Sequence, residues 1–281
     1  MGDTRLLVVY HPDFSALGYP PLQERVAPVF EYIKEQGYLD REGVEVLTPE
    51  PADLAVVECV HTRRHVADVD QAGQLEVSLL STGGVVQASE RLAKKTADNA
   101  FCFVGAAGHH ASAEGFWGFC FINDIGVAAK HLLDEGMVER VAVIDIDPHF
   151  GDGTRDILGP DSRVLHVNFH SGYGRRTLDS GPNNFDVGLS HDAADDTFIN
   201  ESGNALYKAR DFDPDILFIV FGYDSHIRDY GAFQFTANAF RRFAVTVKEY
   251  FPTGVCYVLS GGADIEVGKE AIGGVIDELS K

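Results

Sequence analysis

The stretch VAVIDIDPHFGDGT, residues 141–154, opens as an apolar run and then places Asp145, Asp147, His149 and Asp152 close together. On an extended chain residues i and i+2 share a face, so Asp145, Asp147 and His149 point the same way. Two carboxylates and an imidazole so crowded repel one another or lose solvation unless a proton or a cation neutralises them. Oxygen and nitrogen ligands of this kind suit a divalent metal such as zinc. Asp147 and His149 could supply two ligands and Asp224, in FGYDSH, a third. Water or substrate would fill the remaining positions, as a catalytic metal requires. Each signal alone has an ordinary alternative. Asp145 could cap a helix, Asp224 could cap a turn, and His109 and His110 could be loop histidines. His61, His65, His131, His166, His170 and His226 are read as structural.

The elements that must position these groups are legible as alternating runs. RLLVVYH, LAVVECVH, AFCFVGA, VAVIDID, RVLHVNF, DILFIVFG and GVCYVLSGG read as β-strands. Longer stretches with helical spacing lie between most of them, among them ERVAPVFEYIKEQG, EVSLLSTGGVVQASERLAKK, INDIGVAAKHLLDEG and TANAFRRFAVTVKEYF. Continuous apolar strands alternating with helices predict a doubly wound, mostly parallel sheet covered on both faces. With no linker or repeat, one domain over residues 1–281 is the simplest organisation. In such a sheet ligands bind beyond the carboxyl ends of the strands. There the chain carries His109 and His110, then Asp145 to Asp152, then Asp224, then Ser260-Gly261-Gly262. Asp264 is expected to cap a helix starting near Ile265. HSGYGRRTLDSGPNNFDVGLSHDAADD reads as a long loop, which is often functional.

Composition narrows the class. The chain has 281 residues, 45% of them hydrophobic, and a formal net charge of −20. That charge argues against a nucleic-acid backbone as partner. No window is apolar enough to span a membrane, and the first residues turn polar too soon for a secretory signal. Cys59, Cys102, Cys120 and Cys256 form no CxxC pair, and three of them fall in runs read as buried strands. Reduced core thiols in a cytoplasmic protein are the expectation.

The motifs together resemble those of the zinc-dependent histone deacetylase superfamily. GHHASAEGFWGFCFINDIGVAA resembles its HHA…GFC…FN stretch, and DIDPHFGDGT its D-x-D-x-H-x-G-D-G metal loop. FGYDSHIRD resembles its GFDAH…D segment, and HTRRHVADV an earlier H-T-x-x-Y-V segment, in the same order. The resemblance runs from about Tyr10 to the C-terminus and implies the three-layer arginase–deacetylase α/β fold, with a mostly parallel sheet of about eight strands. It also implies one zinc per chain on Asp147, His149 and Asp224. His109 and His110 become an acid–base pair, backed by Asp145 and Asp152 respectively. Gly118 and Phe119 line one wall of an acyl-lysine tunnel, and Tyr173 is expected on the other. A structural potassium ion is implied near Asp145, Asp147, His149, Asn168 and Phe169. The implied substrates are acylated lysine, a polyamine or a small amide.

The chain departs from the pattern in three places. The family's tyrosine stands in Glu-Gly-Gly-Tyr-Asp-Leu, but here the segment reads Ser260-Gly261-Gly262-Ala263-Asp264-Ile265. Ala263 cannot donate a hydrogen bond, and losing one oxyanion donor costs about 10²- to 10³-fold in turnover. Gly105-Ala106-Ala107 replaces Arg-Pro-Pro, and Phe150 replaces a histidine that is not a ligand. Two functions therefore stand: a slow or specialised amide hydrolase, or an impaired relative that binds acyl-lysine or a small ligand through zinc. A two-metal ureohydrolase of the same fold is disfavoured, because the loop lacks the extra carboxylates a second metal needs.

Overall fold

The computed structural model describes residues 4–20, 22–172 and 181–281. Its strands are β1 (Thr4–Val9), β2 (Val44–Leu47), β3 (Ala97–Cys102), β4 (Val141–Asp145), β5 (Val164–His170), β6 (Asn184–Gly188), β7 (Ile216–Phe221) and β8 (Val255–Leu259). They form one eight-stranded sheet in the order β2-β1-β3-β8-β7-β4-β5-β6. Every strand pair is parallel.

The helices are α1 (Asp13–Ala16), α2 (Gln23–Glu35), α3 (Leu54–Val57), α4 (Arg63–Gln71), α5 (Leu75–Ala93), α6 (Asp124–Asp134), α7 (Asp152–Leu158), α8 (Asp195–Phe212), α9 (Ala237–Tyr250) and α10 (Ile265–Leu279). α2, α10, α9 and α8 pack side by side, as do α4, α5, α6 and α7. Every residue of β4, β7 and β8 is buried, so helices cover both faces of the sheet centre. This is the arginase–deacetylase arrangement. Among the described residues no helix is long and apolar enough to cross a membrane.

Two expectations about elements fail. LAVVECVH is not a strand: Asp53 accepts a hydrogen bond from the Ala55 amide at 2.9 Å and caps α3 there. Cys59, just beyond α3, is exposed, whereas the other three cysteines are buried. The apparent long loop also contains β6, which pairs with β5 from His166↔Asn184 to His170↔Gly188. Its side chains are half-buried or exposed, as an edge strand allows, so it carries no apolar run to betray it.

The strand order sets the site. β3, β8, β7 and β4 are consecutive in the sheet centre. Their carboxyl ends therefore bring four separate segments of the sequence to one rim.

Candidate active site

β4 ends on Asp145, and the turn after it folds onto its own carboxylates. The Asp147 amide donates to Asp145 Oδ1 at 3.1 Å, and the His149 amide to Asp147 Oδ1 at 3.0 Å. The His149 ring then turns Nδ1 toward two acids, 2.8 Å from Asp147 Oδ1 and 3.1 Å from Asp224 Oδ2. The ligand atoms of Asp147, His149 and Asp224 all lie within 4.8 Å of one another. Asp147 Oδ2 accepts from the Ser260 hydroxyl and the Gly261 amide, both at 3.0 Å. Asp224 is fully buried, yet neither of its oxygens gains a hydrogen bond, because the one Nδ1 hydrogen is turned to Asp147. A buried carboxylate that accepts no hydrogen bond is costly unless a cation sits against it.

The electrostatics say the same. Burial opposes charge on His149, but the hydrogen bond to Asp147 and the Asp224 carboxylate facing the same nitrogen push its pKa up to about 11. Burial and then the Asp147 charge push Asp224 up to about 7. Burial acts against the Asp147 carboxylate too, yet His109 and His149 hold it well below its ordinary value. The trio thus holds room for one positive charge, and two carboxylates with an imidazole nitrogen are a donor set that zinc accepts. Glycine is required beside it. A Cβ on Gly261 would lie 2.4 Å from Asp224 Oδ2 and 2.6 Å from Asp147 Oδ2, and one on Gly222 would lie 2.6 Å from Asp147 Oδ2.

The loop after β3 brings in the two histidines. It is tied to the Gly118-Phe119-Cys120 segment by a bridge between Ala107 and Cys120. His109 Nδ1 meets Asp145 Oδ2 at 2.9 Å, and His110 Nδ1 meets Asp152 Oδ1 at 2.8 Å. Their rings lie 4.0 Å apart, centre to centre. Burial disfavours charge on both, but their neighbours separate them. Asp147 and Asp145 lift His109 to about 9, while burial and the charge on His109 lower His110 to about 4. Burial raises Asp145 to about 6. Asp152, despite burial, is held down by its bonds from His110 and Trp117.

A cleft of about 110 Å³ opens above these groups. Leu22, Trp117, Gly118, Phe119 and Tyr230 line it, together with both histidines, Asp147 and His149. Phe119 sits at a left-handed φ of +65° and stacks on Tyr19 at 5.3 Å. Tyr173, expected on the opposite wall, lies outside the described residues. Asn168 pairs with Asp145 across β4 and β5, and its side chain accepts from the Gly151 amide at 2.7 Å and donates to the Phe169 carbonyl. Ala263 presents a methyl group, and its amide donates to Asp229 Oδ2 at 3.0 Å.

Three residues at the site carry no motif that singled them out. Trp117 stacks on His110 at 3.8 Å and donates its indole N–H to Asp152 at 3.0 Å. Buried Arg25 donates to the carbonyls of Ser260 and Gly262 and lies over the Tyr223 ring. Tyr230 lies with its ring 6.2 Å from that of His149. Burial and the charges of Asp224 and Asp147 raise the pKa of its phenol. The only sequence signal for Tyr230 is its place a few residues after Asp224.

The fold and this rim define an α/β protein whose neighbouring strand ends gather carboxylates and imidazoles around one cleft. Residues 19–279 match the family model described as "Histone deacetylase domain", and the chain belongs to that family. It is similar to the "Probable deacetylase" of Archaeoglobus fulgidus, 26% identical over 92% of this chain and 81% of that protein. It is also similar to "Histone deacetylase 5" of Arabidopsis thaliana, 26% identical over 88% of this chain but only 44% of that longer protein. The crystal structure of the HDA15 HD domain shares the fold, with a TM-score of 0.90 at 19% identity over 100% of this chain and 90% of that one.

Proposed function

We propose that the protein is a metal-dependent amide hydrolase that removes an acyl group from acylated lysine or a related amine. One observation carries this reading. Two buried histidines, each hydrogen-bonded through Nδ1 to its own carboxylate, face a cleft lined by Asp147 and His149, with the buried Asp224 completing their trio. Those three residues would hold one zinc, and the unpartnered Asp224 oxygens are the observation that fits it. Bound there, zinc would polarise the acyl carbonyl and make a water more acidic.

The chain's own groups do the rest. His110 directs Nδ1 to Asp152, which leaves Nε2 as the acceptor on a ring kept neutral at ordinary pH. It takes the proton from the attacking water. His109 is the more basic ring and favours the negative charge that develops beside it. Asp145 and Asp152 fix the tautomer of each ring. Leu22, Trp117, Phe119 and Tyr230 give the acyl group and the methylenes of the amine an apolar path. A potassium ion beside β4 and β5 would share the Phe169 carbonyl with the Asn168 amide. The relatives' names, deacetylase and histone deacetylase, agree with the reaction class.

The test is turnover by zinc-loaded protein against a panel of acyl-lysine peptides and acylpolyamines, with His110→Ala beside the wild type. Hydrolysis that falls about 10²-fold or more in the variant, with zinc still bound, supports the reading. Equal rates in the two proteins would sink it. Tight acyl-lysine binding with no turnover would select the alternative, a binding protein that uses the same site.

A further inference from the structure

Water addition to an amide puts negative charge on the former carbonyl oxygen, and a donor aimed at that oxygen is worth more than any other single contact. The donors around the cleft are nearly all committed. The Ser260 hydroxyl and the Gly261 amide serve Asp147. The Trp117 indole serves Asp152, and the histidine Nδ1 atoms serve Asp145 and Asp152. Ala263 has no donor on its side chain.

Tyr230 is different. Its oxygen accepts the Gly262 amide at 3.2 Å, and its own hydrogen is donated to no described residue. The amides of Gly261 and Gly262 are consecutive. One donates to Asp147 and the next to the Tyr230 oxygen, so the phenol stands one peptide unit from a carboxylate of the metal trio. The residue before it fixes this placement. Asp229 accepts the Tyr230 amide at 2.8 Å, the Ala263 amide at 3.0 Å and the Asp264 amide at 2.9 Å. The segment after β7 is thereby pinned to the loop after β8, and it brings a phenol to the cleft, which Ala263 does not line.

We infer that Tyr230 is the hydroxyl donor to the acyl oxygen as the carbon becomes tetrahedral. This inference rests on the hydrolase reading above. In the step the water oxygen bonds to the acyl carbon as His110 takes the water proton; His110 then returns that proton to the amide nitrogen, and the C–N bond breaks to release the amine and the carboxylic acid. Tyr230 keeps its own proton throughout and lends only a hydrogen bond.

The test uses Tyr230→Phe in the zinc-loaded full chain, which keeps the ring and removes the hydroxyl. Expected is a fall in kcat/KM on acetyl-lysine of about 10²-fold or more, carried mainly by kcat. Trifluoroacetyl-lysine, whose electron-poor carbonyl depends less on a donor, should lose less. Zinc content should not change. A second readout needs no turnover: the affinity for a trifluoromethyl ketone analogue of acyl-lysine, which hydrates to a tetrahedral centre, should weaken at least about 10-fold. Unchanged turnover and unchanged ketone affinity would overturn the inference. If wild type hydrolyses no acyl substrate, the hydrolase reading fails on its own. The ketone then decides for Tyr230: weaker binding by the variant upholds the donor, and equal binding removes it.

Discussion

Asp224 is the residue whose environment makes least sense without a cation. Its two oxygens are buried, without hydrogen bonds, and close to a second carboxylate. Asp224→Ala should therefore cost the metal-free fold little, since it deletes a buried acid that accepts no hydrogen bond, and His149 keeps its bond to Asp147. Zinc, by contrast, should raise the melting temperature of the wild type alone, and elemental analysis should find about one zinc per wild-type chain and close to none in the variant. A variant that keeps its zinc would remove Asp224 from the ligand set. Trp117 supports a second prediction. Its indole N–H competes with His110 for the Asp152 carboxylate. Trp117→Phe keeps a ring against His110 but removes that donor, so the carboxylate becomes more basic and holds a protonated His110 better. The acid limb of the kcat/KM profile, where the neutral base is lost, should move to higher pH. A limb that stays in place or moves down would deny the indole this role.

At the scale of elements, the part of the fold that could be read from the sequence was the part buried on both faces. β1, β3, β4, β5, β7 and β8 each carry a mostly buried run with apolar residues at its heart, because each lies inside the sheet. β2 and β6 are the two edges; they are short and half-exposed, and their pattern is too weak to separate from a loop. α3 was hidden by its β-branched composition, which the Asp53 cap and tertiary packing override. The site followed the same division. Asp145, Asp147 and His149 announce themselves by local spacing, whereas Arg25, Trp117 and Tyr230 acquire meaning only from partners far along the chain. The loop after β8 offers a test of how tightly an element end is shaped for the site. Gly261→Ala drives a methyl into both Asp147 and Asp224, so zinc should be lost and stability should fall by about 1–3 kcal/mol. Gly274→Ala, inside α10, meets only the Arg241 side chain at 3.5 Å and should gain about 0.5–1 kcal/mol from helix propensity. Chemical denaturation and zinc analysis of the two variants should separate site crowding from a general dislike of alanine.

For the molecule as a whole the dominant fact is acidity, a formal net charge of −20, and it acts at two depths. On the surface, self-repulsion grows as carboxylates ionise and destabilises the compact state, but salt screens it. Inside, Asp124 opens α6 while fully buried, and accepts the Thr82 hydroxyl of α5 at 2.7 Å. Burial pushes its pKa from the usual 3.8 up to about 7. The folded protein thus keeps this proton over a range in which the unfolded chain has lost it. The sign follows from linkage: the favourable contribution is complete below about pH 4 and is lost as the pH rises toward about 7. Asp124→Asn imitates the protonated side chain, still accepts from Thr82, and does not titrate. In about 1 M NaCl, where surface charges are screened within about 3 Å, wild type should still lose stability between pH 5 and pH 8 by more than the variant does. The difference should be of the order of a few kcal/mol, since each pKa unit corresponds to about 1.4 kcal/mol. Denaturant midpoints measured at the two pH values give the comparison directly. Parallel behaviour in high salt would mean that Asp124 ionises freely in the fold, and that the acidity acts from the surface alone.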